Sequence, residues 1–218
     1  MKTHAKVVAA SALALALFAP GISQAATTAL TEGFDDINAL QDWSQYNYSF
    51  PAGQGWFQGN AGVFAAQAGA ADSYIAANFL AADNGSGSVD SWLITPLLNL
   101  TGTTVLSFFS RASGTPGYSD FLEVRFDNGS GTFSTPLAIL GGLDPYPGQW
   151  TSYSAVFSAE GSGRIGFRYL GDAASLDYIG IDSVNVLTAV PEPSTWLMFA
   201  LGLAGVGALR RRAAPFIS

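Results

Sequence analysis

The sequence predicts an all-β domain, a sandwich of two packed antiparallel sheets or a closed barrel. Three observations predict it. Short runs alternate apolar and polar residues with a period of two, clusters of Gly, Pro, Asn and Asp separate those runs, and no stretch between the two chain ends carries a helical period.

In chain order, strands are expected over 43–49, 73–80, 91–95, 104–111, 122–126, 150–157, 164–169 and 177–187. In the fifth, Leu122, Val124 and Phe126 face one way and Glu123 and Arg125 the other. The seventh repeats the design, with Arg164 and Arg168 on the solvent side of Ile165, Phe167 and Tyr169. Asn84-Gly85-Ser86-Gly87 and Asn128-Gly129-Ser130-Gly131 read as hairpin turns, because Asn and Gly tolerate positive φ. In the last strand Ile179 and Ile181 occupy odd positions and Val184 and Val186 even ones, so the phase flips between Asp182 and Ser183. A β-bulge there keeps all four inside; a register correction at a strand end is the plainer alternative.

Both ends read as addresses. Lys2, His4 and Lys6 precede an apolar run from Val7 to Ala19, a Pro20-Gly21 break, and small residues at Ser23 and Ala25. This is the pattern of a signal peptide over 1–25, cleaved before Ala26. At the other end Pro191, Glu192 and Pro193 precede an apolar run from Trp196 to Leu209 and the triplet Arg210, Arg211, Arg212. At about 1.5 Å per residue that run reaches only roughly 21 Å, short of the roughly 30 Å hydrocarbon core, and Gly202, Gly205 and Gly207 weaken it further. It suits a transient substrate of a membrane enzyme better than a lasting span, an ordinary C-terminal anchor being the alternative. With the arginines held inside, everything between would face the periplasm or exterior.

The tail resembles the PEP-CTERM sorting signals of Gram-negative bacteria that make exopolysaccharide. The resemblance covers 190–212 and leaves 213–218 as a short tail. It implies an exosortase-type processing enzyme as partner, residence in the inner membrane through the C-terminal transmembrane helix before processing, and then the cell surface or exterior.

Between the signals lie about 165 residues, enough for one domain with a sizeable core, here 26–189. They hold four arginines, no lysine and fifteen acids, a net charge of −11. Such a surface repels nucleic acid and anionic lipid, so nucleic acid is no expected partner. There is no cysteine, and the only histidine is His4. That removes Cys/His nucleophile pairs, the usual zinc sites and disulfides in one step. An enzyme would have to work with carboxylates, and no pair is singled out by its spacing.

A second resemblance rests on Glu32-Gly33-Phe34-Asp35 at the opening, the Ser91-to-Pro96 strand leading to Leu100, the strand around Leu122–Phe126, Trp150, and Ile181-Asp182-Ser183-Val184 at the close. In this order they are similar to the choice-of-anchor J domains, related to cleaved-adhesin and MAM-type jelly rolls. The resemblance runs over roughly Thr31 to Leu187 and implies a jelly-roll β-sandwich on a surface protein. It also implies a structural calcium between the opening segment and the last strand, with Glu32 or Asp35 and Asp182 as ligands and Asp177 nearby. Ser183 stands where that family often has a second acid.

The last candidates are aromatic. Trp43, Tyr46, Tyr48, Trp56 and Phe57 cluster early, and exposed Trp and Tyr stack on sugar rings. Tyr46, Tyr48 and Trp56 are the candidate glycan contacts; the alternative is that alternate aromatics fill the core, and Trp43 faces away from the tyrosines. Three readings follow: a non-catalytic matrix or adhesion protein, which leads; a calcium-supported binding module for exopolysaccharide, favoured if those rings prove exposed on a concave face; and a carboxylate-based glycoside hydrolase.

Overall fold

The computed structural model describes residues 25–142 and 145–190. Apart from Ala25 and Val190, the expected signal peptide, Pro-Glu-Pro element, apolar helix and arginine triplet lie outside the described residues. Ten strands make up the domain: β1 (Ala26–Glu32), β2 (Ser44–Asn47), β3 (Phe57–Gln58), β4 (Ile75–Asn78), β5 (Ser88–Ile94), β6 (Leu98–Ala112), β7 (Phe121–Asp127), β8 (Thr135–Gly141), β9 (Thr151–Asp172) and β10 (Tyr178–Ala189). Among the described residues only single 3-10 turns interrupt them, and no helix is long and apolar enough to cross a membrane.

All pairings are antiparallel, and one long strand joins the two layers. The first part of β9 pairs with β6, from Ser110 opposite Thr151 to Leu98 opposite Gly163. From Arg164 onward the same strand pairs with β7 on one side and, from Gly166, with β5 on the other. Sheet A is therefore β9–β6–β10, with β10 continued by β4 and β3 at one end and by β1 at the other. Sheet B is β2–β5–β9–β7–β8. The β5-to-β6 connection turns the same corner beside β9: Thr95 donates its N–H to the Ile165 carbonyl and accepts the Ile165 N–H on its hydroxyl.

Alternation decides which side chains meet between the layers. Leu106 and Phe108 of β6, Ile179 and Ile181 of β10, Val124 of β7, and Ile165 and Phe167 of β9 are all buried in one core. Phe108 meets Phe167 edge to face, with ring centroids 5.3 Å apart, across the sandwich. Fully burying side chains of this size stabilises by about 1.5–3 kcal/mol each relative to exposure.

The bulge expected in β10 is present. Three residues advance on β10, Asp182 to Asn185, while two advance on β6, Phe109 to Ser107. Ser183 takes the extra position with φ of 52°, and Ile179, Ile181, Val184 and Val186 all face the core.

Three strands were not expected, β1, β3 and β8, and the ranges expected as two strands over 150–157 and 164–169 belong to one, β9. Of the two Asn-Gly-Ser-Gly segments, 128–131 does connect a hairpin, β7 to β8. The other, 84–87, links β4 in sheet A to β5 in sheet B and is a crossover instead of a hairpin turn. Its positive φ at Asn84, Gly85 and Gly87 matches the expected backbone but serves a turn between layers. At the domain's edge Val190 donates its N–H to the Ala25 carbonyl at 2.8 Å, so the two ends lie side by side.

Candidate functional site

The outward residues of sheet B form a grid fixed by register. Tyr46 stands opposite Trp92, Trp92 opposite Arg168, and Arg168 opposite Glu123. One row along, Ser44 stands opposite Ile94, Ile94 opposite Gly166, and Gly166 opposite Arg125. Over this grid lies a cleft of about 640 Å³.

Its aromatic lining comes from three places. Tyr46 and Tyr48, two residues apart and so on one face, are 49% and 66% exposed, with rings stacked at 6.2 Å and 6° from parallel. Trp92 lies on the neighbouring strand. Phe133, from the loop between β7 and β8, folds back so that its ring centroid is 5.2 Å from that of Trp92. Gly166 makes this approach possible, because a Cβ there would sit 2.9 Å from the Trp92 ring and 3.0 Å from Phe133.

The polar lining is ordered too. Arg168 donates from Nε and Nη2 to the two carboxylate oxygens of Asp90, at 2.8 and 2.7 Å, and lies 5.3 Å from the Trp92 ring centroid. Its Nη1 reaches Glu123 Oε2 at 3.3 Å. Glu123 also accepts from Arg125, and that hydrogen bond is the main reason its carboxyl is held below the usual range. The same pairing with Asp90 raises the Arg168 guanidinium further. Asp127, 4% exposed, accepts from Ser130 Oγ and from the N–H groups of Gly131 and Thr132. The two carboxylates lining the cleft, Asp90 and Asp127, are thus each engaged by donors. Aromatic faces beside ordered hydrogen-bonding groups suit the binding of a sugar, whose apolar face stacks while its rim hydrogen-bonds.

Not every expected residue reaches this cleft. Tyr46 and Tyr48 do. Trp56 does not: it is 4% exposed and belongs to the core, so its indole is no surface platform. Residue 56 precedes the two-residue strand β3, outside any run whose alternation could have placed it. Trp43 turns inward against Phe34, as its opposite phase implied. Trp92, Phe133, Asp90, Arg164 and Arg168 were not singled out as site residues; only strand pairing and the returning loop bring them to the tyrosines.

The candidate calcium ligands border one segment but do not converge. Glu32 Oε1 accepts the Phe34 N–H at 2.8 Å. Asp35 is exposed, with Oδ1 3.1 Å from where a Cβ on Gly69 would lie. Asp182 is buried under the same segment: its Oδ2 accepts the N–H groups of Gln67 and Ala68 at 2.8 and 3.1 Å, and its Oδ1 the Ser183 hydroxyl at 3.2 Å. Asp177 lies apart, accepting from Ser113. A calcium site needs oxygen ligands turned toward the ion, whereas Asp182 is surrounded by donors, and no three of His, Cys, Asp and Glu gather as a metal would need among the described residues. As placed, these groups do not fit the ion. They form a latch: Asp182 pins 67–68 over the outer face of sheet A, beside a second aromatic cluster of Phe64, Tyr74 and Tyr178.

The tail carries its own signature. Residues 189–212 are a PEP-CTERM protein-sorting motif. The motif implies an exported, exosortase-sorted protein, anchored transiently in the membrane before processing. Upstream of it, the described domain is similar to the K3 cleaved adhesin domain of the Lys-gingipain of Porphyromonas gingivalis W83, at 20% identity and a TM-score of 0.59, over 75% of this chain and 99% of that one. It is also similar to the K1 cleaved adhesin domain of the same protein, at 24% identity and a TM-score of 0.58, over 73% and 97%. These likenesses give a cleaved-adhesin-like β-sandwich ahead of the PEP-CTERM motif. None of the curated proteins matches the chain.

Proposed function

We propose that this exported protein is a non-catalytic component of the cell surface or extracellular matrix that binds polysaccharide in the cleft over sheet B. One observation carries the reading: Tyr46 and Tyr48 present two nearly parallel, solvent-exposed rings at the edge of a cleft floored by Trp92. Exposing two large rings side by side forgoes their burial, and a stacked sugar chain recovers it. The lining carboxylates are bound up in an ion pair and in loop hydrogen bonds, so the site offers adhesion and no ready acid–base pair. Calcium has no part in this reading.

The test is affinity electrophoresis of the intact chain in mild detergent through gels containing the exopolysaccharide of the producing bacterium, with calcium and with EDTA. Retardation in both gels that Tyr46→Ala and Tyr48→Ala abolish supports the reading. Unaltered mobility of the wild-type protein overturns it and returns the structural matrix role to first place.

A further inference from the structure

Charge is distributed unevenly over the domain. Of the four arginines between the two signals, Arg125, Arg164 and Arg168 all stand on the outer face of sheet B, with Asp90, Glu123 and Asp127 beside them. Those six charges cancel. The rest of the domain holds one arginine against the other twelve acids. The single remaining cation, Arg111, is stacked 4.2 Å over the Phe64 ring and donates to the Gly148 carbonyl, away from the cleft.

Two of the three arginines on the face are committed. Arg125 is paired with Glu123 at 2.8 Å, and Arg168 with Asp90 and Glu123 at 2.7 and 3.3 Å. Arg164 is not, although the register sets it directly opposite Asp127. The loop has taken that carboxylate: Asp127 Oδ1 accepts from Ser130, Gly131 and Thr132, and Oδ2 from Gly131 again. Among the described residues no carboxylate lies within ion-pair distance of the Arg164 guanidinium, and Arg164 lines the cleft with the two tyrosines. In a domain with almost four acids for every cation, the uncommitted guanidinium of this face is set into the aromatic cleft.

Resting on the glycan-binding reading above, we infer that the cleft takes an acidic polysaccharide, and that Arg164 receives the carboxylate of one of its sugars, a uronic acid or a pyruvate ketal, while Tyr46 and Tyr48 stack on neighbouring rings. A guanidinium matches a carboxylate with two parallel hydrogen bonds, which neither a hydroxyl nor a neutral sugar offers. The surrounding acids do not forbid this. The nearest, Asp127 directly across the ladder, is already engaged by its loop donors; at about 0.15 M salt charges more than about 8 Å away are largely screened, while a contact pair is not. They disfavour polyanions of high charge density, such as nucleic acid, which would press many phosphates onto a domain with fifteen acids against four arginines.

The experiment compares binding of the intact chain to the producing bacterium's exopolysaccharide before and after chemical reduction of its carboxyl groups to alcohols, which neutralises uronates and ketal carboxylates alike. Retardation by the native polymer that falls about tenfold on reduction supports the inference. Arg164→Gln should lose the same factor on the native polymer and nothing on the reduced one, with Arg164→Lys between, and circular dichroism reporting the fold of each. Tyr46→Ala should weaken both. Equal binding to the two polymers by the wild-type protein overturns the role of Arg164 and leaves the glycan site standing. Binding to neither overturns both.

Discussion

Arg168 and Asp90 face each other through two parallel hydrogen bonds, Nε to Oδ1 and Nη2 to Oδ2, at 2.8 and 2.7 Å. The pair ties β5 to β9, and the third contact, to Glu123, extends the tie to β7. Lysine cannot reproduce the fork or bridge two carboxylates at once. Both side chains are 27% exposed, which limits the cost, so Arg168→Lys should destabilise by about 1 kcal/mol. Urea denaturation measures it, and an unchanged midpoint would show that the network is ornamental. The variant should also weaken polysaccharide retardation, because Trp92 loses the planar guanidinium set over its ring.

Gly166 is where backbone and ligand platform meet. A methyl group there would press on Trp92 at 2.9 Å and on Phe133 at 3.0 Å, so Gly166→Ala has to displace one ring or both. Overpacking of this kind costs about 1–3 kcal/mol. The informative readout is the ratio of effects. If the two rings form part of the binding floor, affinity falls by more than stability accounts for. Affinity that stays at the wild-type level would take Trp92 and Phe133 out of the binding floor.

How much of this was readable beforehand depends on range. Alternation alone oriented Leu122–Phe126, placed Tyr46 and Tyr48 on one face and Trp43 on the other, and located the bulge at Asp182–Ser183, since each needs only neighbours two residues away. β8 escaped because Pro136 breaks the donor pattern expected of a strand; the structure places it at the sheet edge, where β7 is its one strand partner and a proline is tolerated. β1 escaped because its threonines and alanines, mostly exposed, show no apolar period. The rest of the cleft was illegible for a different reason: Trp92, Arg164 and Arg168 adjoin the tyrosines only through register, and Phe133 only through a loop that turns back.

The latch at Asp182 should behave as a hinge point. Asp182→Ala would remove the charged acceptor of the half-buried N–H groups of Gln67 and Ala68, at a cost of about 1–3 kcal/mol. The loss is local, so limited proteolysis should cut between residues 60 and 73 well before the rest of the domain unfolds. Asp182→Asn, which keeps one acceptor oxygen, should resist better. With donors around the carboxylate, the wild-type melting temperature should be the same in calcium and in EDTA; a rise in calcium would show that the segment rearranges into an ion site.

Acid should stabilise this domain before it harms it. Burial is the main cause that raises the carboxyls of both Asp120 and Asp182 above the ordinary range, against the hydrogen bonds from Tyr169 and the Asp177 N–H at the first and from Ala68 and Gln67 at the second. A raised acid binds its proton more readily folded than unfolded. Its contribution is complete below the unfolded value, near 4, and is lost as pH rises through the folded value. Glu123 runs the other way, but its loss falls below the usual Glu range and does not overlap. Relief of the net charge of −11 acts in the same direction as the two buried acids. The unfolding midpoint should therefore climb as pH falls from about 7 to about 5. Asp120→Asn separates the parts: the amide oxygen still accepts from the Tyr169 hydroxyl, whose own proton burial holds firmly in place, while the titration is gone. The gap in stability between the Asp120→Asn variant and the wild-type protein should narrow with falling pH, leaving a shallower climb in the variant. Parallel curves would assign the whole effect to surface charge.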